Sequence, residues 1–127
     1  MALAATSHHV SFPVRDLDRA RSFYEDLLGL QQIARPDLGF PGAWYQAGPC
    51  EVHLLEVPPD ADVGMPPHGL NPLAPHCAFA VVDYEEALAA VRRRGLEVVE
   101  TSSARGQLWV RDPDGHVIEL IAPPRAG

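Results

Sequence analysis

The sequence says one thing twice, and that constrains its fold more than any other feature. His76-Cys77-Ala78-Phe79-Ala80-Val81-Val82-Asp83 repeats the pattern of His9-Val10-Ser11-Phe12-Pro13-Val14-Arg15-Asp16, with histidine, phenylalanine, valine and aspartate at matching places. The correspondence continues: Gly29 matches Gly95, and Val52-His53-Leu54 matches Ile118-Glu119-Leu120. Self-similarity at a fixed offset takes precedence over other sequence signals, and two copies are too few for a solenoid. Two halves that complete each other's core are the expected outcome. At 127 residues the chain has room for one compact domain, not two independent ones.

Each half predicts the same elements. Residues 8–14 alternate, with Val10, Phe12 and Val14 on one face and His9, Ser11 and Pro13 on the other, as in a half-buried strand. Asp16 can cap a following helix whose apolar positions are Leu17, Ala20, Phe23-Tyr24 and Leu27-Leu28, with Gly29 at its C-terminal end. Strands are expected at 30–35, 43–47 and 50–57. The second half predicts a strand at 76–82, a helix from Tyr84 to Arg94 opened by Asp83 and Glu86, and strands at 96–100, 107–111 and 116–122. Arg92-Arg93-Arg94 sits where positive charge suits the helix dipole. The expected architecture is an α+β fold of two tandem βαβββ modules within a single domain. Module 1 covers about 7–57 and module 2 about 76–123. Between them, six prolines in residues 58–75 exclude a helix or a central strand and mark a linker.

Alternation also decides which side chains share a face. Val10/Phe12/Val14, Val52/Leu54, Phe79/Val81 and Ile118/Leu120 form one apolar face, which the helices must cover. The opposite face carries His9, His53, His76 and Glu119 beside small or intermediate residues such as Ser11, Ala78, Ala80 and Val117. Three imidazoles and one carboxylate suit one borderline divalent ion per chain: zinc, nickel, cobalt, iron or manganese. With neutral imidazoles the site would carry a formal charge of +1, enough to polarise a carbonyl or hold an enolate oxygen. His8, His68 and His116 have no counterpart in the repeat, and Cys50 and Cys77 have neither ligand spacing nor a nucleophile motif. Phosphate-binding glycine loops and the His-Glu-x-x-His and Gly-x-Ser-x-Gly motifs are absent.

Composition excludes other classes. A formal charge of −7 opposes nucleic acid or an anionic membrane as the main partner. No apolar run is long enough to span a bilayer, and Met1–Ala5 lacks the character of a signal peptide, so a cytoplasmic location is expected.

Taken together, His9 to Leu17, Ser22-Phe23-Tyr24, Leu28-Gly29-Leu30, His76-Cys77-Ala78-Phe79 and Asp112 to Leu120 resemble the vicinal oxygen chelate superfamily. That group includes glyoxalase I, methylmalonyl-CoA epimerase, fosfomycin- and bleomycin-resistance proteins and extradiol dioxygenases. The resemblance implies paired modules in a cupped eight-stranded mixed sheet with helices on the outer face, around a divalent metal. It places the first-strand ligand on His9, the fifth-strand ligand on His76 and the last-strand glutamate, also a catalytic residue, on Glu119. The fourth-strand position, glutamate or glutamine in typical glyoxalases and epimerases, falls on His53. The activity implied is a glyoxalase-like lyase or isomerase that chelates vicinal oxygens of a small-molecule substrate and assists proton transfer. A ring-cleaving extradiol dioxygenase and a non-catalytic antibiotic-binding protein are the alternatives. Small members of the group commonly pair, so a homodimer is expected.

Overall fold

The computed structural model describes residues 2–123. The chain divides into two compact units, Met1–Gly64 and Met65–Gly127. In the first, β1 (His9–Val14), β2 (Gln31–Ile33), β3 (Gly42–Ala47) and β4 (Cys50–Glu56) form a mixed sheet in the order β1-β4-β3-β2. Strand β1 runs parallel to β4, and β3 runs antiparallel to both its neighbours. The second unit repeats this with β5 (His76–Ala80), β6 (Val99–Glu100), β7 (Gln107–Arg111) and β8 (Val117–Ile121) in the order β5-β8-β7-β6. The helix α1 (Leu17–Arg21, continued by Ser22–Leu27) links β1 to β2, and α2 (Tyr84–Arg93) links β5 to β6. The α+β class and the doubled βαβββ order expected from the repeat are both present.

The helices start where the sequence places their caps. Asp16 accepts a hydrogen bond from the Arg19 amide at 3.1 Å, and Asp83 accepts one from the Glu86 amide at 3.0 Å. Both helices are followed by a glycine at φ 71°, Gly29 and Gly95, a left-handed conformation that a side chain would strain. The first helix departs from expectation in its interior. From Ser22 to Leu27 it is π-helical, and the Leu28 amide reaches back five residues to the Phe23 carbonyl at 3.0 Å. Phe23 and Tyr24 are adjacent yet both buried. The wider turn lets two consecutive aromatic rings face the core.

In the first unit that core lies on the apolar strand face. Phe12, Val14, Ala43, Tyr45, Val52 and Leu54 are buried with Ala20, Phe23 and Tyr24 of the helix, and the Phe12 and Tyr24 rings stack at 5.7 Å. In the second unit Leu88 and Val91 are buried together with Leu108, Val110, Ile118 and Leu120. Several strands are shorter than expected. The strand at 30–35 stops at Ile33, because Pro36 has no amide to donate and the chain leaves the ladder before it. The strand at 76–82 ends at Ala80, leaving Val82 fully exposed, and the one at 96–100 retains only Val99–Glu100.

Residues 58–75 hold no helix or strand. Within its own unit, each end of this segment is tied by an arginine. Arg15 donates to the carbonyls of Pro58 and Ala61, and Arg111 donates to the His68 carbonyl at 3.1 Å. The proline-rich stretch is therefore anchored at both ends and is not a free tether.

One polar group enters the first core. The Tyr45 ring is fully buried and its hydroxyl donates to Glu25 at 3.0 Å, while Arg21 pairs with the same carboxylate. Burial, reinforced by Glu25, pushes the Tyr45 hydroxyl well above its ordinary value. The Arg21 hydrogen bond holds the Glu25 carboxyl below its own, against a smaller opposing effect of burial. Tyr45→Phe is expected to lower unfolding free energy by about 1 kcal/mol in urea denaturation. The stabilisation contributed by ionised Glu25 is complete above its ordinary value of 4.5 and is lost as pH falls through its lower folded value. The stability gap between wild type and Glu25→Gln should therefore be widest near neutral pH and close on acidification, as read from urea midpoints across pH.

Candidate metal centre

The sheet faces opposite the helices carry the polar residues that alternation assigned to them. In the first unit His53 lies on the second strand of the sheet, where β1 and β3 flank it. Its ring stacks on His9 at 4.1 Å and 16°, and on Trp44 at 4.1 Å and 7°. Trp44 is the residue directly across from His53 in the β3–β4 register. His53 is only 7% exposed, which removes it from the class of surface histidines. His9 is exposed, and its Nδ1 lies 2.9 Å from Nδ1 of His8.

The sequence reading missed Glu51. Its Oε1 lies 3.0 Å from His53 Nε2. An ionised carboxylate only accepts, so Nε2 carries the hydrogen, and a neutral His53 presents its lone pair from Nδ1. The hydrogen bond from His53 holds the Glu51 carboxyl below its ordinary range, and nearby His8 and His9 favour the same form. The signal was available: Glu51 precedes His53 by two residues in one strand and must share its face. The first unit thus does have a carboxylate on the face that carries His53, two residues before it in β4.

In the second unit, His76 and Glu119 meet across the parallel β5–β8 pair. His76 Nε2 lies 3.0 Å from Glu119 Oε1, and His76 Nδ1 lies 2.7 Å from the Ala74 carbonyl. Both imidazole nitrogens therefore face oxygens that only accept. A neutral ring has one N–H and satisfies one of them; the other contact is satisfied when Nε2 is protonated or when a cation lies between Nε2 and Oε1. Donation of Nδ1–H to a backbone carbonyl leaves Nε2 as the coordinating nitrogen, the arrangement typical of metal-bound histidines. Gln107 Nε2 donates to the other oxygen, Glu119 Oε2, at 3.2 Å, so the carboxylate is oriented from both sides. Glu119 is 7% exposed. The donor chemistry of this pair fits a borderline divalent ion.

The tryptophans repeat the same pattern. Trp109 sits across from Glu119 just as Trp44 sits across from His53. The buried Trp109 indole N–H has no acceptor among the described residues. Among the same residues no three histidine, cysteine, aspartate or glutamate side chains are gathered as a ready metal cage. Each unit assembles its own pair, His9 with His53 and His76 with Glu119. His116 takes no part in either, and its amide donates to Asp112 in the turn before β8 at 2.9 Å. No helix among the described residues is long and apolar enough to cross a membrane.

Comparison with known proteins bears on the family and the fold. The family model described as the Glyoxalase/Bleomycin resistance protein/Dioxygenase superfamily matches residues 6–120. A lactoylglutathione lyase from Escherichia coli O157:H7 is 30% identical over an alignment covering 94% of this chain and 93% of that one. The chain spans less than half the length of two longer plant relatives. Among solved structures, a glyoxalase/dioxygenase from Nostoc punctiforme superposes with a TM-score of 0.75 at 22% identity, covering 98% of each chain. TnmS3, an antibiotic-binding protein from Streptomyces sp. CB03234, gives 0.71 at 23% identity, covering 97% of this chain and 99% of that one.

The depressed Glu51 carboxyl depends on the His53 imidazole. Carboxyl-carbon NMR titration should place Glu51 below 4.5 in the wild type and return it toward that value in His53→Ala. Equal midpoints in the two proteins would show that the contact does not form.

Proposed function

From the premise that this chain belongs to the Glyoxalase/Bleomycin resistance protein/Dioxygenase superfamily, we propose that it is a divalent-metal-dependent enzyme of the lyase or isomerase type. Its substrate is a small molecule with oxygen atoms on adjacent carbons. The proposed ligands are His9, His53, His76 and Glu119, for one ion of zinc, nickel, cobalt, iron or manganese. When bound, such an ion supplies a Lewis acid that lowers the cost of enolate character next to a carbonyl.

The observation that carries the reading is the His76–Glu119 pair. Its donors, one imidazole nitrogen and one carboxylate oxygen, lie 3.0 Å apart, and each side chain has a further hydrogen-bonding partner, Ala74 for His76 and Gln107 for Glu119. Orientation by neighbouring hydrogen bonds is what distinguishes a prepared ligand from an exposed strand residue. Glu119 is also the group proposed to hold a substrate proton. Its near-complete burial and its contact with Gln107 keep one oxygen at a fixed place for that transfer. His53 donates to Glu51, so a carboxylate backs the imidazole in the first unit and raises its basicity toward a cation. Several relatives are lactoylglutathione lyases, which makes the thiol adduct of a 2-oxoaldehyde the first substrate to test. The chain is further proposed to act as a homodimer, which light scattering would reveal as twice the 13.8 kDa chain mass.

Protein purified without a histidine tag from metal-supplemented medium should carry about one equivalent of a divalent ion by elemental analysis. His76→Ala should lose most of it, and His116→Ala should keep it. The metal-loaded wild type should exchange the substrate proton with deuterated water, and Glu119→Gln should lose at least about a hundredfold in that rate. His53→Glu should retain metal. A wild type without metal in every such preparation would sink the reading.

A further inference from the structure

His8 and His9 meet through the same atom of each ring, a contact that the proposed coordination leaves unused. The two Nδ1 atoms lie 2.9 Å apart, and the rings meet edge to face with centroids 5.1 Å apart and planes at 84°. That distance is an ordinary hydrogen bond between one ring that donates and one that accepts. His8 stands just before β1, yet its backbone is held: the Glu51 amide donates to the His8 carbonyl at 2.9 Å. The imidazole is therefore delivered to a set place beside the His9 ring.

Stacking leaves the His9 ring one freedom. The His53 ring lies nearly parallel to it, 4.1 Å away at 16°, which sets the plane. A half-turn about the bond from Cβ to the ring keeps that plane, but exchanges Nδ1 with the Cδ2 carbon and Nε2 with the Cε1 carbon. Only a contact at the ring edge distinguishes the two orientations, and His8 supplies it. Turned over, His9 would offer His8 a C–H where it now offers a nitrogen. The repeat indicates which ring donates. His76 occupies the matching position in the second half, and its Nδ1 faces the Ala74 carbonyl at 2.7 Å, an atom that only accepts. Where His76 has a carbonyl, His9 has the Nδ1 of His8.

We propose that His8 is a positioning residue for His9: it accepts the Nδ1–H of His9 and so fixes both the orientation and the tautomer of that ring, leaving the Nε2 lone pair as the metal donor. This rests on the reading of His9 as a ligand. A histidine whose other nitrogen donates to an acceptor meets a cation with its ring already oriented and its lone pair more basic. His8 acts through His9 alone and has no bond of its own to metal or substrate.

The test uses the full chain, ¹⁵N-labelled and freed of metal by a chelator, at about pH 8.5, where imidazoles are neutral. Ring nitrogen spectra distinguish a protonated from an unprotonated nitrogen, and the His9 signals are identified by their loss in His9→Gln. His9 should carry its hydrogen on Nδ1 in the wild type and move it wholly or partly to Nε2 in His8→Ala. It should return to Nδ1 in His8→Asn, whose amide oxygen accepts at the same place. Zinc affinity, read by competition with a chromophoric chelator, should fall about tenfold in His8→Ala, recover in His8→Asn and stay unchanged in His68→Ala. Unchanged amide spectra away from β1 establish that the variants fold. A wild-type His9 with its hydrogen on Nε2, the same tautomer in wild type and His8→Ala, or equal zinc affinity in the two overturns the proposal. A wild type that takes up no zinc, while the His9 tautomer depends on His8 as expected, supports the positioning and sinks the ligand reading.

Discussion

The rest of the structure depends on the burial of one strand face under a helix in each unit. A strand can send only alternate side chains to that face, so committing Phe12, Val14, Val52 and Leu54 to the core forces His9 and His53 to the other side. The same holds for Ile118 and Leu120 against Glu119. Shifting the register by a single residue would bury the imidazoles and expose the core, at a cost of several buried apolar side chains at about 2 kcal/mol each. The polar face is therefore fixed by hydrophobic burial on the reverse of the same sheet. No polar contact on that face needs to be strong for the proposed ligands to be in place.

Parallel pairing then brings the first and last long strand of each half together. Strands β1 and β4, and likewise β5 and β8, are distant in sequence and adjacent in the sheet. This puts His76 against Glu119, 43 residues away, and His9 against His53. The two pairs are not equivalent in chemistry. His76 and Glu119 are an imidazole and a carboxylate with oriented lone pairs, whereas His9 and His53 stack as two aromatic rings, with Trp44 on His53 as well. The two halves repeat the geometry and differ in what it holds.

A third layer of organisation lies around the proposed ligands. Gln107 fixes the far oxygen of Glu119, the Ala74 carbonyl fixes the His76 ring, and Glu51 fixes His53. Each of these acts on a ligand through the atom that the proposed coordination does not need, or by deciding which nitrogen bears the hydrogen. The His8 imidazole meets the corresponding atom of His9.

The sequence by itself determined the doubled βαβββ order, the two helix caps, the sided distribution of His9, His53, His76 and Glu119, and the family. Those features rest on local periodicity, on side-chain capping within a few residues, and on a repeat visible in one dimension. Tertiary structure alone decided the rest. The π-helical turn at Ser22–Leu27 arises because two adjacent aromatic rings must both reach a core whose shape no local pattern encodes. Trp44 against His53 and Trp109 against Glu119 depend on antiparallel register, which the turns between strands set. Glu51 was legible by parity, but its hydrogen bond also depends on the plane of the His53 ring, which the stacking of His9 and Trp44 sets. His8 has no counterpart in the repeat; only the structure sets its Nδ1 against that of His9, because a contact between ring edges is a property of surroundings and not of residue type.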